Sequence, residues 1–202
     1  MILTNWGYMI DELDDMLTSD EFETMTGNRY AGDVRTQPLL DAAQAAVRNY
    51  CGWHVCPSES CKLEARAHDL RLTYSGTDTI IQLPARYVSK VTKVTVGGTE
   101  ITDYSCEPNG MLRLYDTLIV SRRTVITVEY AAGLPMDLAG AVQELIAHRV
   151  THGLAQSYGV QSEAAGGVSV TYSANWINSA RATALPDDNK EVLAPYRLQG
   201  VF

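Results

Sequence analysis

The chain has 202 residues, of which 46% are hydrophobic, enough to bury a sizeable core in one large domain or two small ones. Its formal net charge of -8 argues against a protein that grips a nucleic-acid backbone by neutralising phosphates. No run approaches the length of an apolar membrane span, and the start, Met1 to Trp6, lacks the basic and apolar regions of a secretory signal.

Residues 1–17 carry Asp11, Glu12, Asp14 and Asp15 and no Lys or Arg. Leu3, Trp6, Tyr8, Ile10 and Leu13 are interspersed with them. The segment reads as an acidic amphipathic arm, and Trp6 and Tyr8 as anchors on a neighbouring subunit. Thr18 with Glu21 has the spacing of a capping box, which opens a short helix to about Met25 that stops at Gly27-Asn28. Asp33 or Thr36 is placed to cap the next helix, with Pro38 in its first turn. Leu39, Leu40, Ala43, Ala46, Val47 and Tyr50 form its apolar side, with Asp41, Gln44 and Arg48 facing water. Gly52 ends it. Residues 18–65 are thus a helical front.

Cys51, Cys56 and Cys61 are evenly spaced in a way that fits no zinc pattern, and Cys106 stands apart. Free thiols in a reducing compartment are expected, with a Cys56–Cys61 disulfide left open.

From residue 66 the hydrophobic period changes from 3.6 to 2. Strands are predicted at 68–74, 79–83, 87–96, 99–104, 111–115 and 124–130. Ser75-Gly76, Gly97-Gly98 and Asn109-Gly110 mark turns, and Gly97-Gly98 is a strong two-residue hairpin signal. Pro84 ends a strand or marks an edge. Residues 66–130 therefore read as an inserted antiparallel β unit, with 91–96 and 124–130 most central.

Residues 131–160 are read as the long central helix. Pro135 suits its first turn, and Leu138, Ala141, Val142, Leu145, Ile146 and Val150 recur at spacings of three and four. The expected helix runs about six turns, 136–158, and is capped by Gly159. Residues 161–202 are a Gly-rich arm and tail. Gly166-Gly167 is a hinge, Val168 to Tyr172 a short strand or extended arm, and Lys190 to Tyr196 a short helix capped by Asn189.

Catalytic signals are weak. Glu144, His148 and His152 recur every four residues, but the zincin motif needs a Glu after its first His, and Arg149 stands there. There is no nucleophile elbow and no phosphate loop. Asp14-Asp15 and Asp187-Asp188 read as solvated pairs, since acid catalysis requires burial or a tight like-charge pair. No catalytic residue, metal or cofactor is assigned. The chain reads as a protein that works through its surfaces.

Several stretches, taken in order, resemble the phage head–tail connector family, in a longer form with a β insertion between helices. They are Glu21 to Val55 with its Tyr50-Cys51-Gly52-Trp53 cluster, the β segment from Val91 to Leu114, Val128 to Val150 with its Gly-Leu-Pro turn, and the closing "EAAGGVSVTYS" and "LAPYRL". The resemblance spans roughly residues 18–198. It implies a structural adaptor in the virion, a ring of about twelve copies beneath the portal at the head–tail interface. DNA would pass through the channel without tight binding, and the channel wall would be neutral or acidic. The implied partners are the portal protein, neighbouring copies, and a tail or stopper protein, with no membrane. The portal-facing residues it implies are Tyr196, Arg197, Leu198, Val201 and Phe202. The inter-subunit arm residues are Trp6, Tyr8, Gly166, Gly167 and Tyr172.

The resulting fold class is α+β: a helical body with a long central helix, a small inserted antiparallel β unit and extended terminal arms. Three alternatives stay open. One is a stopper or tail-completion protein of the same connector. Another is a small binding module whose β unit is the ligand face. The third is an enzyme built around Glu144, His148 and His152, which would retain a metal on purification.

Overall fold

A computed structural model describes residues 1–155, 162–165, 168–171 and 185–198. The chain divides into two units. Unit 1 joins Met1–Asp14, Cys51–Ala139 and the chain from Tyr196 onward. Unit 2 joins Asp15–Tyr50 and Gly140–Pro195.

Unit 1 is built from two antiparallel sheets. Its larger sheet has six strands in the order β1-β2-β3-β10-β6-β7. These are β1 (Ile2–Leu3), β2 (Met9–Ile10), β3 (Glu59–Arg66), β10 (Val125–Ala132), β6 (Val88–Val96) and β7 (Thr99–Ile101). The smaller sheet has the order β4-β5-β9-β8, from β4 (Leu72–Ser75), β5 (Asp78–Gln82), β9 (Met111–Leu114) and β8 (Tyr104–Cys106). Alternation sets the faces of β10: Ile126, Val128, Tyr130 and Ala132 are buried, while Thr127, Glu129 and Ala131 are more open. β3 places Cys61 and Leu63 on the same buried side, opposite Tyr130 and Val128.

The predicted turns account for the local geometry. Gly97 and Gly98 both have positive φ, the requirement of a two-residue hairpin turn, and Val96 pairs with Thr99 across them. The Asn109 side chain accepts the Met111 N–H at 2.9 Å and tightens the β8–β9 turn. Gly133, after β10, has φ +131°, and a Cβ there would strike the Pro57 carbonyl oxygen. A side chain at 133 is therefore excluded on two counts.

Unit 2 carries the helices. α1 (Ser19–Met25) begins with the expected capping box: Thr18 Oγ1 accepts the Glu21 N–H, and the Glu21 carboxylate accepts the Thr18 N–H. α2 covers Thr36–Cys51 and α3 covers Gly140–Ala155. A hairpin of β11 (Ser162–Ala165) and β12 (Val168–Thr171) follows. α4 (Asp187–Leu193) packs on α3.

The expected helical body with a long central helix is overturned. The described residues form a β-rich protein with ten strands in two antiparallel sheets, the separate β11–β12 hairpin and four short helices. The apolar stripe of 136–158 does not make one helix. Met136–Leu138 is a 3-10 turn, and α3 begins only at Gly140. Leu138, expected on the buried stripe, is 58% exposed. Val142, Leu145, Ile146 and Val150 are buried as expected. The β region is also more than an insertion. β3, β2 and β1, from sequence read as helical front and acidic arm, extend the same sheet as β10 and β6. β3 escapes periodicity analysis because Lys62, Glu64 and Arg66 occupy its other face, and Glu59 begins the face that carries Cys61 and Leu63, so the alternation is masked.

The tail helix also starts earlier than expected. It opens after Pro186 with no side-chain cap, so Asn189 lies inside it. Ala194–Tyr196 is a 3-10 turn.

Candidate interaction surfaces

The two ends of the chain and the segment entering unit 2 are the parts that could meet a partner. Each is held by specific side chains.

Tyr8 is buried in unit 1, at 1% exposure. His54, fully buried, approaches it with Nδ1 2.7 Å from the Tyr8 hydroxyl, and its Nε2 lies 2.8 Å from Ala132 O. A carbonyl only accepts, so Nε2 carries the proton and Nδ1 of the neutral ring accepts from the tyrosine O–H. The Tyr8 oxygen in turn accepts the His54 backbone N–H at 3.2 Å. Tyr130 packs against the same ring, with centroids 6.4 Å apart. Trp6 is half-buried, its ring 6.1 Å from that of Tyr8. It lines a mainly apolar cleft of ≈ 310 Å³ within unit 1, with Leu63, Leu70 and Pro84. Beyond them Met1, Ile2 and Leu3 are exposed, at the outer edge of the larger sheet.

At the other end, the Trp53 indole N–H donates to Tyr196 O at 2.7 Å. The Leu198 N–H donates to Cys51 O at 2.9 Å. Trp53 stacks on Tyr87 at 6.4 Å, and the Tyr196 ring lies 6.3 Å from Tyr87. So Tyr196 and Leu198 sit against unit 1, each half-buried, and Arg197 is exposed. Among the other expected site residues, Gly166, Gly167, Tyr172, Val201 and Phe202 lie outside the described residues.

Within unit 2, the chain enters over α2. Gln44 Oε1 accepts the N–H groups of Met16 and Leu17, and its Nε2 donates to Asp15 at 3.0 Å. Gln143 of α3 donates to Met16 O at 3.1 Å. This corrects the expectation that Gln44 and Arg48 face water: they are only 2% and 8% exposed. An entering backbone needs donors and acceptors where it crosses a helix, and Gln44 supplies both.

Titratable groups are shifted mostly by burial. It pushes the thiols of Cys51 and Cys61 up to about 12 and that of Cys106 up to about 11. All four cysteines are free thiols, so Cys56 and Cys61 are not bridged. Burial, and then its neighbour His148, lowers His152. Glu144 and His148 are exposed. Among the described residues, no cluster of three or more His, Cys, Asp or Glu could hold a metal ion. No described helix is long and apolar enough to cross a membrane.

The head completion protein family matches residues 15–198. The chain belongs to this family. The match starts at Asp15, where the chain is received by Gln44, and ends at Leu198, where it is tied to Cys51. No curated protein matches the chain. Membership bears out the resemblance to phage head–tail connector proteins. It makes this head completion protein a structural component of the phage head, and so of the virion, that acts with other head and connector proteins.

Proposed function

We propose that this head completion protein is the adaptor of the head–tail connector, a ring of about twelve copies beneath the portal. The family match over residues 15–198 carries this reading. Its mechanism is assembly. Tyr196, Arg197 and Leu198 present the end of the chain on unit 1, and Val201 and Phe202, which follow, meet the portal. Gly166, Gly167 and Tyr172 form the arm toward a neighbouring copy. Trp6 lies at the N-terminal contact, and Tyr8 fixes its base. DNA crosses the channel without tight binding, since each basic phosphate contact would add affinity through counterion release. The chain's charge of -8 supports such a wall.

The test is co-sedimentation with purified cognate portal rings. Wild-type protein is expected to pellet with the portal, and a chain ending at Leu198 to bind more weakly while remaining folded. Equal binding by the shortened chain would move the portal contact elsewhere. Failure of the wild-type protein to bind would favour a stopper or tail-completion protein in a different layer.

A further inference from the structure

The larger sheet of unit 1 carries opposite charge at its two ends. β3 runs from Glu59 to Arg66, roughly 23 Å at the usual rise per residue. At its start, the Asp11 N–H donates to Ser60 O at 3.2 Å, so the acidic run leaves the sheet there. Burial and the carboxylates of Asp14, Glu12 and Asp11 raise Glu59 above its usual range. Asp11 and Glu12 form no ion pair with any described residue. Leu13, between them and Asp14, is 40% exposed.

At the far end of β3, the Ala67 N–H donates to Thr124 O at 2.9 Å and the His68 N–H to Arg122 O at 3.1 Å. These bonds seat the turn before β10 over that end of the sheet. Arg122 and Arg123 are exposed and form no ion pair with any described residue. Asp69, the nearby carboxylate, lies 3.1 Å from His68. Val120, beside the arginines in the chain, is 81% exposed. One end therefore offers the carboxylates of Asp11 and Glu12 beside exposed Leu13, and the other the guanidiniums of Arg122 and Arg123 beside exposed Val120, all unpaired among the described residues. The length of β3 keeps the two ends apart within one copy.

We infer that copies of this chain join head to tail through these ends, with Arg122, Arg123 and Val120 of one copy against Asp11, Glu12 and Leu13 of the next. Two unlike surfaces on one unit make a heterologous contact, which generates a ring where the rotation closes. The inference rests on the adaptor reading for closure alone. A nucleic acid would suit the arginine turn but leave the acidic end unanswered, whereas a second copy answers both. Charge complementarity then sets orientation and speeds encounter. Residues 11–14 lie outside the family match, so the acidic half of the contact belongs to this chain's own N-terminal segment.

The test uses two variants of the full chain. Arg122→Glu with Arg123→Glu makes both ends acidic, and Asp11→Lys with Glu12→Lys makes both basic. By sedimentation velocity at low salt, each variant alone is expected to self-associate more weakly than wild type by about tenfold or more. The two mixed are expected to assemble as alternating copies, and high salt to dissolve that assembly. Circular dichroism checks that both are folded, and recovery in the mixture shows it independently. Wild-type self-association by both variants alone would overturn the inference and leave the adaptor reading intact. So would a mixture that stays monomeric. Charge-dependent self-association without portal binding would support this contact and sink the adaptor reading instead.

Discussion

At the N-terminal end, Tyr8 is sunk in unit 1 and shares hydrogen bonds with a fully buried imidazole. At the C-terminal end, Tyr196 and Leu198 rest half-buried, held through main-chain groups by Trp53 and Cys51. The first attachment is side chain to side chain in the core, so losing it leaves polar atoms unsatisfied in a dry place. The second joins buried Trp53 and Cys51 to main-chain groups of the half-buried Tyr196 and Leu198, and those C-terminal groups can return to water at small cost.

The sharpest way to break this comparison is Tyr8→Ala. It removes a buried aromatic ring and leaves His54 without its partner, and should cost about 3–5 kcal/mol in urea unfolding. Tyr8→Phe separates ring from hydroxyl and should cost about 1–3 kcal/mol, the penalty of an unsatisfied buried group. A Tyr8→Ala loss under about 1 kcal/mol would mean that the N-terminal segment is a loose arm after all. Gln44→Ala asks whether the entry to unit 2 is held in the same way. It strands the Met16 and Leu17 N–H groups and should cost about 2 kcal/mol. Trp53→Phe keeps an aromatic ring, deletes the donor to Tyr196 and removes part of a buried indole. About 1 kcal/mol is expected, with limited proteolysis reporting a faster release of the C-terminal residues.

The smallest effect has the opposite sign. Glu59 titrates above its ordinary value in the fold, first from burial and then from Asp14. The native state therefore holds this proton to higher pH than the unfolded chain does. Stability falls as pH rises through that window and stays lower above it. Glu59→Gln should raise the melting temperature slightly at pH 7 and make no difference once the pH is below the ordinary glutamate range. An unchanged or lowered melting temperature at pH 7 would show that Asp14 and its neighbours do not press on Glu59.

Local chemistry was the legible part of this sequence. Thr18 with Glu21, Gly97-Gly98 and Asn109-Gly110 each specify a structure through residues a few positions apart, and each forms as expected. β10 and β6, rich in Val and Ile, do lie inside the larger sheet. What stayed hidden depends on residues far apart. β3 lies between β2 and β10 behind a charged outer face. Gln44 is buried because residues 15–17 cross it, which no helical period reveals. The stripe from Leu138 does not mark one helix because apolar spacing cannot tell the 3-10 turn Met136–Leu138 from the α-helix that begins at Gly140. Tyr8 and His54 are 46 positions apart, and only the fold brings them together. For the surfaces, the sequence showed an acidic N-terminal segment, but not that it leaves the larger sheet at the end opposite Arg122 and Arg123.

Native mass spectrometry of the cognate portal ring mixed with this protein tests the central claim most directly. The account expects a portal complex heavier by about twelve copies of the chain, with the free protein depleted to match. A portal of unchanged mass beside free protein would contradict it.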